Sequence, residues 1–230
     1  MFTIVMPMDT NRLEQFKNTK RVYDTFPEVK EFIIPTRSHD ELLAYMTEHK
    51  LLNNVRLIPY THEIGFNPSK ALNIGVRNAT YDNIIITSPE IMPKTQVLEQ
   101  LTDCVGKNVV CQVFDQDKDG NLKSLVNKKF RSGDPGMYFL ALFNKKDIEV
   151  INGWDEDFML GYAYEDNDFG KRWVRAGLPF QVRDDIQAVH QYHPRTETIH
   201  NGASINFEKM NWNTDHNVIA CNNGLKNIVQ

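Results

Sequence analysis

The stretch GFNPSKALNIGVRNATYDNIIITSPEIMP, residues 65–93, contains a complete helix-to-strand unit and decides the fold. Asn67 is a natural N-cap, and Pro68 occupies the first helical position, where its missing amide hydrogen has no intrahelical partner to lose. Asn83–Thr87 reads as a short buried strand, and Ser88-Pro89-Glu90 follows at its carboxyl end. Upstream, the same alternation repeats. Strand patterns at Phe2–Met6, Glu31–Ile34 and Val55–Pro59 alternate with helical patterns at Asn11–Tyr23 and Asp40–Glu48, and a further helix is expected over Thr95–Cys104. A βαβα order of this kind predicts an α/β fold, a mostly parallel central sheet with helices on both faces. Ligands in such sheets bind beyond the carboxyl ends of the strands, so the loops Pro7–Arg12, Pro35–Arg37, Tyr60–Lys70 and Ser88–Pro93 should share one rim. After residue 105 strand patterns at Val109–Phe114, Leu122–Val126 and Met137–Phe143 predict a mixed second half. The tail from Thr196 is rich in Asn and Thr and reads as a lid or wrapping segment.

The bulk numbers bound the function. A chain of 230 residues with 41% hydrophobic and 24% charged residues suits one globular domain with an extension. Its formal charge of −4 makes a nucleic-acid partner unlikely, since phosphate recognition leaves a basic footprint. No apolar run reaches membrane-spanning length, and Phe2–Met6 runs into Pro7 with no signal-peptide layout. Cys104, Cys111 and Cys221 are odd in number and unpaired in spacing, so buried thiols in a soluble, cytoplasmic protein are expected. No glycine-rich dinucleotide loop follows the first strand and no Walker-type loop occurs.

The chemistry-bearing residues concentrate in NGWDEDFMLGYAYEDNDFGKRWVRAGL, residues 152–178. From Asp168, Phe169, Trp173 and Val174 fall at helical spacing, with Lys171, Arg172 and Arg175 on the other side and Gly177 placed to end the helix. Glu165, Asp166, Asn167 and Asp168 then sit at a helix N-terminus, whose partial positive charge keeps Asp166 ionised and available as a base. Trp154, Tyr162 and Tyr164 are candidates to stack on a sugar ring, or to pack in the core. Glu90 could hold a divalent cation or approach the next helix. His190 and His193, spaced H-x-x-H, could offer imidazoles to a metal or be structural. The run Asp115, Asp117, Asp119, Gly120 imitates a calcium loop, but Val126 stands where its bidentate acid should be. A hairpin turn is the expected reading. Thr61-His62-Glu63 has no nucleophile nearby and reads as loop chemistry or donor-site lining.

Two segments together resemble a known family. NGW…EDNDFGKRW is similar to the N-G-[FW]…G-E-D-D-D segment, with its following arginine, of inverting GT-A glycosyltransferases such as the β-1,4-galactosyltransferases and their bacterial relatives. FNPSKALNIGV followed by TSPEIMP resembles the same family's F-N-R-A-K-L-L-N-x-G and D-x-D-[LI]-x-P. The resemblance covers roughly residues 1–195. It implies a single GT-A (Rossmann-like) domain over 1–195, with a nucleotide-sugar-binding half at 1–104 and an acceptor and catalytic half at 105–195. Residues 196–230 would pack on or cover the site.

By the same resemblance the chain is a hexosyltransferase that takes a UDP-sugar and a carbohydrate or glycan acceptor with Mn²⁺ (or Mg²⁺). Asp166 is the implied general base and Glu165 orients the acceptor. Pro7, Arg12, Lys70 and Ser88 are implied to hold the nucleotide-sugar, Glu90, His190 and His193 the metal, and Trp154 loosely matches the start of the acceptor loop, where Tyr162 and Tyr164 join it as stacking candidates by residue type. Ser88 stands where the family has the first aspartate of D-x-D. A catalytically inactive sugar-nucleotide or glycan-binding module, and a nucleotidyltransferase on a similar sheet, remain alternatives.

Overall fold

The computed structural model describes residues 1–61, 65–125, 139–158, 163–194 and 200–226. Nine strands among them form one sheet: β1 (Phe2–Val5), β2 (Val29–Thr36), β3 (Val55–Pro59), β4 (Asn83–Thr87), β5 (Ile91–Pro93), β6 (Val109–Gln116), β7 (Leu122–Ser124), β8 (Leu140–Asn144) and β9 (Gln181–His190). They run in the order β3-β2-β1-β4-β8-β6-β9-β5, with β7 paired to β6. The first four strands in that order are mutually parallel. Strand β8 enters antiparallel between β4 and β6, and β9 returns parallel to β6. One sheet therefore spans the alternating first half and the mixed second half.

Helices cover both faces of the parallel block. On one face Tyr23, from α1 (Leu13–Tyr23), meets Phe32 edge-on at 5.6 Å. Phe32 is the register partner of Ile4, so this is the Ile4 face. On the opposite face α3 (Pro68–Asn78) lies so close to β1 that a Cβ on Gly75 would fall 2.2 Å from Val5 Cγ1. Adjacent residues of a strand point to opposite faces, so Ile4 and Val5 mark the two layers. Glycine at 75 lets α3 sit this low. At its start the Asn67 side chain accepts the Lys70 amide at 3.0 Å, as the N-cap reading predicts.

The other helices are α2 (His39–Glu48), α4 (Val97–Thr102), α5 (Lys145–Val150), α6 (Glu165–Arg175) and α7 (His200–Asp215). Strands β5 and β9 and helices α5 and α7 are additions to the sequence reading, and His190 is the last residue of β9. Within the tail, the described residues 200–226 are a 16-residue helix followed by an irregular segment. The Asp115–Gly120 stretch is a hairpin as expected: Asp117 accepts the Asp119 and Asn121 amides, and Gly120 takes a φ of 85°. All three cysteines are free and buried. No described helix is long and apolar enough to cross a membrane.

Candidate active site

A cavity of about 550 Å³ opens at the carboxyl ends of the parallel strands. The loop after β1 contributes Pro7 to Arg12, the end of β2 gives Arg37 and Ser38, and the end of β4 gives Thr87 to Glu90. Phe66, Pro68 and Leu72 come from the start of α3, and His190 and His193 from the end of β9. Four loops converge because the parallel strands all end on this side. Pro7, Arg12, Ser88, Glu90, His190 and His193 all line this one cavity.

Glu90, His190 and His193 each present a ligand atom, and these atoms lie within 4.8 Å of one another. His190 Nε2 is 3.7 Å from Glu90 Oε1, while its Nδ1 is 3.0 Å from Asp115 Oδ1. Burial favours the neutral ring of His190, but the two carboxylates outweigh it and hold its pKa above the ordinary value. Burial likewise opposes charge on Glu90, and the facing His190 overcomes it, holding the carboxyl below its usual range. His193 goes the other way. Burial lowers its pKa, and the Arg12 guanidinium adds to the effect, so its imidazole is kept neutral and able to ligate.

Asp9 and Arg37 were not singled out as site residues by sequence. Arg37 donates through Nε and Nη2 to Asp9 Oδ2 at 2.9 and 2.6 Å, and its amide reaches Oδ1 at 3.0 Å. This forked pair ties the β1 loop to the β2 loop across the cavity mouth. A signal existed in sequence, since both residues follow strands of the parallel block.

Helix α6 starts from an unusual turn. Ala163 and Tyr164 both take positive φ, 63° and 73°, a left-handed conformation that costs about 1–2 kcal/mol for each L-residue. Asn206 of α7 donates to the Ala163 carbonyl at 3.0 Å and holds the turn. Glu165 and Asp166 follow in the first helical turn, each 7% exposed. Burial, and then the charge of Asp166, push the Glu165 pKa up to about 8. Glu165 Oε2 has no hydrogen-bond partner among the described residues. Neither carboxylate is part of the cavity wall among those residues.

The side assignment of this helix needs correction. Arg172 is fully buried and Val174 is 53% exposed, the reverse of the sequence reading. Arg172 Nε donates to Asp168 Oδ2 at 2.6 Å, and its Nη1 donates to the carbonyls of Ile151 and Gly153. Asn213 of α7 completes the cluster by donating to Asp168 Oδ1 at 2.8 Å. The helix ends as expected, with Gly177 at φ 68° and the Gly177 and Leu178 amides bonded back to Val174 and Trp173.

Trp154 is also corrected. It is fully buried, its ring stacks on Phe169 at 4.1 Å, and its backbone is clamped on both sides by the Asn73 amide. A ring with both faces in the core offers no platform to an acceptor. Gly153 before it has φ 72°, and a Cβ there would come 2.3 Å from Asn73 Oδ1, so the N-G-W motif is a packing requirement. Lys70 stands outside the cavity wall because its ammonium is bound to the Thr61 carbonyl at 3.0 Å. Tyr164 is half-buried, with its ring 5.2 Å from Phe207 of α7. Tyr162, His62 and Glu63 lie outside the described residues.

Comparison with known proteins bears on the fold. A family model described as the N-terminal domain of galactosyltransferase matches residues 137–196, which include β8, α6 and both site histidines. The uncharacterized glycosyltransferase YfnE of Bacillus subtilis is 32% identical over 117 residues, covering 45% of this chain and 29% of that protein. Among solved structures, the mannosyltransferase PcManGT from Pyrobaculum calidifontis, in complex with GDP-Man and Mn²⁺, superposes with a TM-score of 0.60 at 16% identity. That match covers 84% of this chain and 57% of PcManGT. S. aureus TarS 1-349 in complex with UDP gives 0.63 at 12% identity, over 91% of this chain and 62% of TarS. The chain thus spans less than two thirds of each of these relatives. These superpositions show the fold, and this chain has the GT-A fold of those glycosyltransferases.

Proposed function

We propose that this chain is a glycosyltransferase that moves a hexose from a UDP-sugar to an acceptor hydroxyl, with inversion and with Mn²⁺. The observation that carries the reading is the Glu90, His190 and His193 cluster set in the wall of the strand-end cavity. Its volume lies within the usual range for small-molecule sites, about 300–1,000 Å³. PcManGT holds GDP-Man and Mn²⁺ and TarS holds UDP on the same fold, which supports a nucleotide-sugar donor here.

Two imidazoles and one carboxylate fit a divalent ion that accepts mixed nitrogen and oxygen ligands, which favours Mn²⁺ over the oxygen-demanding Mg²⁺. Held there, the ion would supply charge neutralisation for the departing diphosphate. Arg12, half-buried in the same wall, adds a fixed positive charge on that side. Pro7 shapes the loop beneath the nucleotide, and Ser88 offers a hydroxyl but no charge.

Asp166 is the base that takes the proton from the attacking acceptor hydroxyl, on the sugar face opposite the leaving group. Glu165 complements it. With its pKa raised to about 8 it keeps a proton near neutrality, so it can donate a hydrogen bond to the acceptor while Asp166 carries the negative charge. Tyr164 lines the acceptor side.

Incubation with a panel of UDP-sugars, Mn²⁺ and acceptors, read as UDP release, tests the reading. Asp166→Asn should lower transfer by about 10²–10⁴-fold with UDP binding unchanged. Full activity in that variant removes the base assignment. Tight UDP binding with no release from any sugar identifies a binding module instead.

A further inference from the structure

We propose that Asp115 is a positioning residue for His190, fixing the ring so that its bare Nε2 faces Glu90 and His193. The proposal rests on the metal reading of those three residues. Asp115 belonged to a stretch that sequence reads only as a hairpin, and the hairpin itself makes it effective.

The strand order places the three groups in a row. Strand β9 lies between β6 and β5, and His190 at its end is register partner to Asp115 on one side and to Ile91, next to Glu90, on the other. The two carboxylates therefore approach the imidazole from opposite flanks. Asp115 Oδ1 is at hydrogen-bond distance from Nδ1, 3.0 Å, whereas the 3.7 Å from Nε2 to Glu90 Oε1 is too long for a hydrogen bond. A neutral imidazole has one donor and one acceptor nitrogen. An ionised carboxylate only accepts, so the Asp115 contact puts the hydrogen on Nδ1 and leaves the lone pair on Nε2. That lone pair points into the cluster, where an ion between Nε2, Glu90 and His193 would use it.

Asp115 is not itself in the cluster of mutually close ligand atoms, nor in the cavity wall. Its side chain is 44% exposed, on the outer side of the ring. It acts through His190 rather than on the ion. The β6–β7 hairpin steadies it: Asp115 pairs with Lys123, and the Asp117 carboxylate closes the turn two residues on. Phe139 meets the His190 ring edge-on at 6.1 Å and limits its rotation.

The test is calorimetric titration of the full chain with Mn²⁺ alone, at constant pH, alongside ¹⁵N NMR of the histidine rings in the metal-free protein. Asp115→Ala should weaken Mn²⁺ binding by about 10–100-fold, the usual effect of losing such an outer partner. Asp115→Asn keeps an oxygen acceptor and should fall between the parent and Asp115→Ala. In the NMR experiment the neutral His190 ring, assigned with His190→Gln, should carry its hydrogen on Nδ1 in the parent and in Asp115→Asn. It should lose that preference in Asp115→Ala. A role confined to hairpin stability would leave the tautomer unmoved, and circular dichroism confirms that the variants fold. If Glu90→Ala and His193→Ala abolish Mn²⁺ binding but Asp115→Ala binds like the parent, the positioning role is overturned and the metal site stands. Absence of Mn²⁺ binding by the parent overturns both.

Discussion

The strand-end cavity and the helix that presents Glu165 and Asp166 are built on different principles. The cavity takes its shape from strand ends: β1, β2 and β4 stop on one side of the sheet, and their loops meet there by topology. Its principal cross-tie is the Asp9–Arg37 pair, which is partly exposed. Helix α6 instead sits in place through buried polar contacts that cross the sequence. Arg172 reaches the Ile151 and Gly153 carbonyls, Asp168 receives Asn213, and Ala163 receives Asn206. A site resting on a hydrophobic sheet tolerates the loss of one contact. A helix start resting on a buried charge pair does not.

Breaking that pair is the sharpest way to expose the contrast. Arg172→Ala leaves Asp168 charged and buried without its partner, and should lower stability by about 3–5 kcal/mol in denaturant unfolding. A loss below about 1 kcal/mol would mean that the two regions are held alike.

The next effect, of intermediate size, concerns Glu165 and depends on pH. Burial pushes its folded pKa up to about 8, above the ordinary 4.5 of an exposed glutamate. Between those two values the unfolded chain gives up the proton and the folded chain keeps it, so stability falls as pH rises from about 4.5 to about 8. Glu165→Gln should lack this slope, and melting curves across that range would show it. Parallel curves for parent and variant would contradict the burial argument.

The smallest effect belongs to the cavity side. Asn67→Ala removes the cap of α3 and should cost about 1 kcal/mol, with the Mn²⁺ titration unchanged because Glu90 and both histidines lie on other elements.

The same contrast explains what the sequence made legible. The strands of the parallel block and the cap at Asn67 were readable because their signals are local: apolar runs of four or five residues, and a cap whose acceptor and donor are three residues apart. The trio at Glu90, His190 and His193 was legible through residue type and resemblance. Arg172 was misplaced because helical periodicity sorts charges outward, and nothing within one turn except Asp168 announces that two carbonyls about twenty residues upstream will receive it. Trp154 was ambiguous for a related reason, since its burial depends on Asn73, 81 residues away. Helix α7 escaped notice because it is anchored by Asn206, Lys209 and Asn213 rather than by an apolar stripe. Asp115 was visible only as part of a turn, and its second role requires knowing that β6 and β9 are neighbours.

The Asn213–Asp168 contact also bears on the order in which the molecule assembles. Glu90, His190 and His193 have all been made once synthesis passes His193, and the strands that carry them can pair at that point. Asp168 still lacks one of its partners, which arrives 45 residues later with Asn213. A chain emerging from the ribosome amino end first can therefore form its strand-end cavity before the helix bearing Glu165 and Asp166 is locked. The start of that helix would be held in place only once α7 had been made.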